Sequence, residues 1–238
     1  MSAREPRPQA AAGGASDPAA EPTLREILGG RGGAVDASVP VVVFVVAWLV
    51  ADALRAPSAV GWAAAVAVLG GAVVAAVRLG TGTRPRAVIF GLLGVAVAAL
   101  VALYTGRAVD FFLVQLVSNA ASALAWTVSI VIRWPLLGLV VGAALGQGVR
   151  WRRDPDLLRG YRRASWVWVG QYVLRVAVFL PLYFADAVAA LGIARIGLTW
   201  PLIVVCVALS WRVLRRTLPP GHPGLRHPRA AAAARDGR

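Results

Sequence analysis

The chain has 238 residues, 58% of them hydrophobic, a mean hydropathy of +0.68 and a formal charge of +14. Such apolar composition excludes an ordinary soluble domain. Every basic residue is arginine, and the arginines flank apolar runs, so the charge points to an anionic membrane surface and away from nucleic acid.

Residues 1–37 are rich in Ala, Pro and Gly with scattered charge, and are expected to form a disordered amino tail. They do not read as a signal peptide, because the first apolar run begins only near Ser38. Within them TLREIL (23–28) carries a capping-type Thr23 three residues before Glu26, which fits a short interfacial helix or an unstructured tail equally well.

The first span is expected at 38–54, with Pro40 in its first turn and Asp52 near its far end. The second, 59–77, is rich in small residues, and Gly61, Gly70 and Gly71 allow close helix approach. The third, 87–104, carries GLLG at 91–94, read as a packing surface. The fourth, 111–132, places Gln115, Ser118, Asn119 and Ser122 on one stripe, because they recur at steps of three and four.

Arg133-Trp134-Pro135 ends that helix, since a residue before proline avoids the helical region. The apolar run 136–148 reaches about 20 Å as a helix, short of a hydrocarbon core of roughly 30 Å. It reads as a re-entrant or interfacial helix, with a thin extra span as the alternative. A polar loop follows at 150–163, bearing Arg150, Arg152, Arg153, Arg159, Arg162 and Arg163, with a short surface helix expected over 156–163. The fifth span, 166–184, has Arg175 at its midpoint; the sixth, 188–211, contains Arg195 and Pro201. Residues 217–238 are expected to be a disordered carboxyl tail. The tryptophans near span ends, Trp151 among them, read as interfacial anchors.

The fold class is therefore all-α: a transmembrane domain over 38–216, with about six spans plus one short helix, between two tails. With six spans, Arg55 and Arg107 lie on one side, Arg175 and Arg195 lie within spans, and every other arginine lies on the opposite side. The positive-inside rule then puts both termini and the large basic loop in the cytoplasm of a cell-membrane protein. A seventh span would move 150–163 outside, against that rule.

An arginine at the centre of a span costs about 2.5–3.5 kcal/mol on insertion scales, so Arg175 must face protein or water. Depth ranking by helix rise sets Asp52, Gln115, Asn119 and Arg195 near it in one outward-biased layer, with Asp110 and Asp186 at the rim. Two readings stay open: an anion- or proton-handling pocket, or a satisfied polar network that fixes the bundle. The cluster Arg150–Arg163 reads as a binding face for anionic lipid or a partner.

The only cysteine, Cys206, sits in an apolar run and reads as packing; His222 and His227 lie in the tail. There is no metal-ligand spacing, nucleophile set or phosphate loop, so no cofactor, no metal and no enzymatic activity are expected.

Five motifs carry a family resemblance: VPVVVFVV (39–46), GRAVDFF (106–112), RWPLLGLVVG (133–142), WRRDPDLL (151–158) and LRVAVFLPLY (174–183). With them the chain resembles an actinobacterial membrane family, the domain-of-unknown-function family 3159, over about 38–216. That resemblance implies an all-helical inner-membrane protein and transfers no site residues. A distant resemblance to the intracellular septation protein A family rests on Pro then Phe in the first span and on Arg133-Trp134-Pro135-Leu136. It implies an envelope or division role, with other envelope proteins as partners. A small secondary transporter or channel using the Arg/Asp/Asn/Gln layer is the alternative.

Overall fold

Apolar segments in a bilayer must satisfy every backbone N–H and C=O internally, which makes helices the solution for runs of Ala, Val, Leu and Gly. The computed structural model describes residues 30–82, 85–225 and 228–229. Its helices are α1 (Gly30–Ala53), α2 (Ala59–Gly80), α3 (Pro85–Thr105), α4 (Leu113–Val131), α5 (Leu136–Ala144), α6 (Pro155–Phe184) and α7 (Val188–Thr217). A 3-10 turn at Ala108–Phe112 leads into α4, and another at Arg150–Arg153 precedes α6. The expected helix at 23–28 lies outside the described residues.

Five helical segments are long and apolar enough to cross a membrane: Ala59–Gly80, Val88–Thr105, Ala108–Val131, Pro155–Phe184 and Val188–Thr217. The apolar segment Ser38–Ala53 is shorter, but it belongs to α1, whose 24 residues reach about 36 Å. Because α1 starts at Gly30, Pro40 falls inside the helix and not in its first turn. Helix α5 has only 9 residues, about 14 Å, which is too short for the thin-span alternative.

The separate surface helix expected over 156–163 does not exist. Residues 155–184 form one 30-residue helix, capped by Asp154, whose Oδ1 accepts the N–H groups of Asp156 and Leu157. No proline falls between Pro155 and Pro181, and Leu157, Gly160, Tyr161, Ala164 and Ser165 continue the buried face that runs on to Val169, Gln171 and Arg175. At about 45 Å, α6 outreaches the hydrocarbon core by about 15 Å.

Helix α1 packs on α2, α2 on α3, α4 on α6 and α6 on α7, and α1 meets α7. One core lies near the α6–α7 turn. There Phe44 of α1 stacks on Phe111 at 3.9 Å, and Phe112 meets both rings edge-on. The other core lies at the arginine-rich end and surrounds Trp151, Leu157, Tyr161 and Leu214. Trp151 is fully buried there and is no interfacial anchor. Glycines make its room: a Cβ on Gly138 would stand 2.7 Å from the indole, and one on Gly142 would stand 2.4 Å from the carbonyl of Gly148. The expected packing surface at Gly91 and Gly94 instead faces open space. Gly192 takes a packing role, since a Cβ there would meet Val45 at 2.8 Å.

Candidate functional site

The α6–α7 seam is held by four polar or close contacts in antiparallel order. Trp168 Nε1 donates to Ser210 Oγ (3.1 Å), Cys206 Sγ lies 3.9 Å from the carbonyl of Val167, and Gly160 admits Leu214. The fourth contact is Arg175, which is 9% exposed and donates from one terminal nitrogen to the carbonyls of Leu198 (3.1 Å) and Thr199 (3.3 Å). These carbonyls lie in the turn of α7 just before Pro201, whose missing N–H leaves the carbonyl of Gly197 without its helical partner.

The expected layer divides. Asp52 does not join Arg175; it lines a cavity at one end of the bundle. Gln115 and Asn119 pair with each other on α4 (3.3 Å). The guanidinium of Arg195 makes no hydrogen bond or ion pair among the described residues, and the Thr199 hydroxyl bonds the Arg195 carbonyl. Register still sets Asn119 level with Arg175. Trp126 stacks on Trp168 at 5.3 Å, and Tyr183 donates to Asp110, so steps along α4 mirror steps along α6 between these two ties. Three buried atoms at or near this level lack partners: Asn119 Nδ2, Gln171 Oε1 and Arg175 Nε. Gln171 sits one helical turn from Arg175 with its side chain buried.

At the end holding the α6–α7 turn, Arg107 bonds Asp186 at 2.7 Å and lies 3.9 Å from Asp110. The hydrogen bond that Arg107 donates to Asp186, with the nearby carboxylate charges, holds the guanidinium above its ordinary range despite partial desolvation. The adjoining cavity measures about 560 Å³.

At the other end the arginine-rich loop is ordered by Asp154, which is fully buried. Its Oδ2 lies 2.9 Å from His222 Nε2 and accepts the N–H of Arg229 at 2.8 Å. Gln147 also donates to the carbonyl of Leu225 (2.9 Å). The stretch 218–225, expected to be disordered, is folded back onto the loop. Its Pro and Gly composition hid this, because the anchoring depends on one histidine reaching one buried carboxylate. Burial alone would raise the Asp154 pKa, but the N–H groups of Arg229 and Leu157 and the His222 ring outweigh it and hold the carboxyl below its usual range.

Arg150, Arg152, Arg153, Arg159, Arg162 and Arg163 are all exposed on this end. Arg152 lies 3.8 Å over the Trp134 ring, and Arg159 is 3.4 Å from Asp156. No group of three His, Cys, Asp or Glu side chains is placed to hold a metal ion among the described residues.

These features define a helical membrane bundle with a buried interhelical arginine and a strongly basic end. The chain belongs to the family described as "Protein of unknown function (DUF3159)", whose model matches residues 28–221. No curated protein and no solved structure matches it.

Proposed function

We propose that this chain is a non-enzymatic, multi-pass cell-membrane protein that organises the envelope, with septation the process its motifs suggest. Both termini and the arginine-rich loop face the cytoplasm, where the six arginines sit on the anionic inner leaflet and present a face to other envelope proteins. The observation that carries this reading is the Asp154 junction, which folds the carboxyl tail onto the loop and fixes the arginines as one ordered surface. Arg175 supports it by tying α6 to α7 through backbone carbonyls, a structural use of an intramembrane charge.

The test has two arms. In nanodiscs, hydrogen exchange over 150–163 should slow when anionic lipid replaces zwitterionic lipid, and replacing the six arginines by glutamine should remove that response. In cells, a fluorescent fusion should concentrate at division sites; uniform distribution with normal division after deletion counts against the septation role.

A second reading is a small secondary transporter or channel through the polar layer. The unpaired buried atoms of Asn119, Gln171 and Arg175 favour it. Proton or chloride flux into proteoliposomes that Arg175→Gln abolishes would establish it in place of the first.

A further inference from the structure

The end of the bundle opposite the arginine-rich face has the reverse charge. Asp52, Asp110 and Asp186 gather there, with Arg55 and Arg107 the only cations in the connecting turns, in a chain whose formal charge is +14. The cavity at this end, about 560 Å³, is lined by Trp48 and Asp52 of α1, Ser58 and Val60 at the start of α2, Leu103 of α3 and Arg107. Asp186 and Val188 also line it. That volume lies within the range of small-molecule sites.

The charges in it are not equivalent. Arg107 is already engaged by Asp186 at 2.7 Å and faces Asp110 at 3.9 Å. Asp110 in turn accepts from Tyr183. Asp52 has no hydrogen bond or ion pair from its carboxylate among the described residues. Trp48 stands one helical turn before Asp52, so the indole and the carboxylate lie on the same face of α1. Arg55, three residues after Asp52, makes no ion pair with it among the described residues, and Arg195 lies about 10 Å along α7 from Val188, deeper in the bundle. An aromatic face beside an unpaired carboxylate attracts an organic cation through the ring quadrupole and the charge together. A metal ion is disfavoured, since no three potential ligands converge among the described residues.

We infer that this cavity binds a small organic cation, an amine or quaternary ammonium group seated between the Trp48 indole and the Asp52 carboxylate, with its apolar part against Val60, Leu103 and Val188. The inference is independent of the envelope reading, which rests on the other end of the molecule.

Choline is a suitable probe, and 3,3-dimethylbutan-1-ol is its neutral isostere. Calorimetry or ligand-observed NMR on the full chain in nanodiscs should show saturable choline binding and at least roughly tenfold weaker binding of the isostere. Asp52→Asn should weaken choline by roughly tenfold or more, and Trp48→Leu, which keeps the charge, should weaken it by a smaller factor. Asp52 is exposed at a helix end, so its substitution leaves folding intact. Absence of saturable choline binding overturns the inference. So does equal binding of the isostere, unchanged binding by Asp52→Asn, or binding of calcium alone.

Discussion

His222 Nε2 lies 2.9 Å from Asp154 Oδ2, 68 residues earlier in the chain, with 1% and 0% of the two side chains exposed. Nδ1 of the same ring accepts the N–H of Gly224 at 3.0 Å, so the shared proton sits on Nε2 and points at the carboxylate. Asp154 meanwhile caps α6 with its other oxygen. One buried carboxylate therefore starts the 30-residue α6 and anchors the tail.

Asp154→Ala removes the cap and leaves the His222 N–H and the Arg229 N–H unpaired. It should destabilise the protein by about 3 kcal/mol, the sum of a lost cap and orphaned buried donors. Thermal unfolding in detergent measures this, and limited proteolysis should show cleavage near 218–225 in the variant before any cleavage of the bundle. An undigested tail in the variant would refute the anchoring role.

Acid should release the tail by the same route. The Asp154 carboxyl is lower in the folded protein than in the unfolded chain, so its contribution is fully present above the unfolded value of about 3.9 and is lost as pH falls through the folded one. Proteolytic protection of 218–225 should thus be insensitive to this group from neutrality to about pH 5 and decline only below the ordinary carboxylate range. Asp154→Ala should lack that acid-side decline.

Arg175→Leu cuts the α6–α7 tie at Leu198 and Thr199 and should lower stability by about 1–2 kcal/mol, the range of interhelical hydrogen bonds in membranes. Arg175→Lys keeps the charge but loses the planar fork, and should fall between the wild type and Arg175→Leu. Unchanged melting of Arg175→Leu in detergent would show that the arginine does not hold the seam.

Glycine substitutions separate packing from mere composition. Gly142→Ala drives a methyl group to 2.4 Å from the Gly148 carbonyl and 2.8 Å from the Trp151 ring, and should cost about 1–3 kcal/mol as an overpacked site. Gly91→Ala and Gly94→Ala meet nothing within 4 Å and should be neutral or stabilise slightly, because alanine is the better helix former. Melting temperatures of the three variants give the comparison directly.

Tyr183→Phe removes the hydroxyl that donates to Asp110, a side chain only 5% exposed. The carboxylate keeps just a distant guanidinium, so stability should fall by about 1–3 kcal/mol. Asp110→Asn in the same background should recover part of the loss; a double-mutant cycle reads the coupling.

Much of this molecule follows from the one-dimensional pattern. Apolar run length is enough to specify helices in a membrane, since hydrocarbon offers the backbone no other partners. Helix rise likewise set Asn119 near Arg175 in one outward-biased layer and put Asp110 and Asp186 at its rim. The arrest at Pro135 and the shortness of 136–148 were legible as well, because proline geometry and bilayer thickness are local constraints. Family membership was equally visible in the five motifs and is established by the match over 28–221.

What the sequence could not fix was direction around each helix and contact at a distance. Depth ranking put Asp52 in the layer of Arg175, yet Asp52 turns to the end cavity, since residues at similar depth on different helices need not share a face. Arg175 donates to the backbone carbonyls of Leu198 and Thr199 and not to the side chains of the layer, and carbonyls have no letter in a sequence to mark them. Likewise Trp151 reads as an anchor until Gly138 and Gly142 are seen to make its pocket. The arginine-rich end illustrates the division: composition alone determined that it is basic, whereas only tertiary folding could bring His222 and Arg229 to Asp154, because that junction depends on three-dimensional return of the chain and not on any local rule.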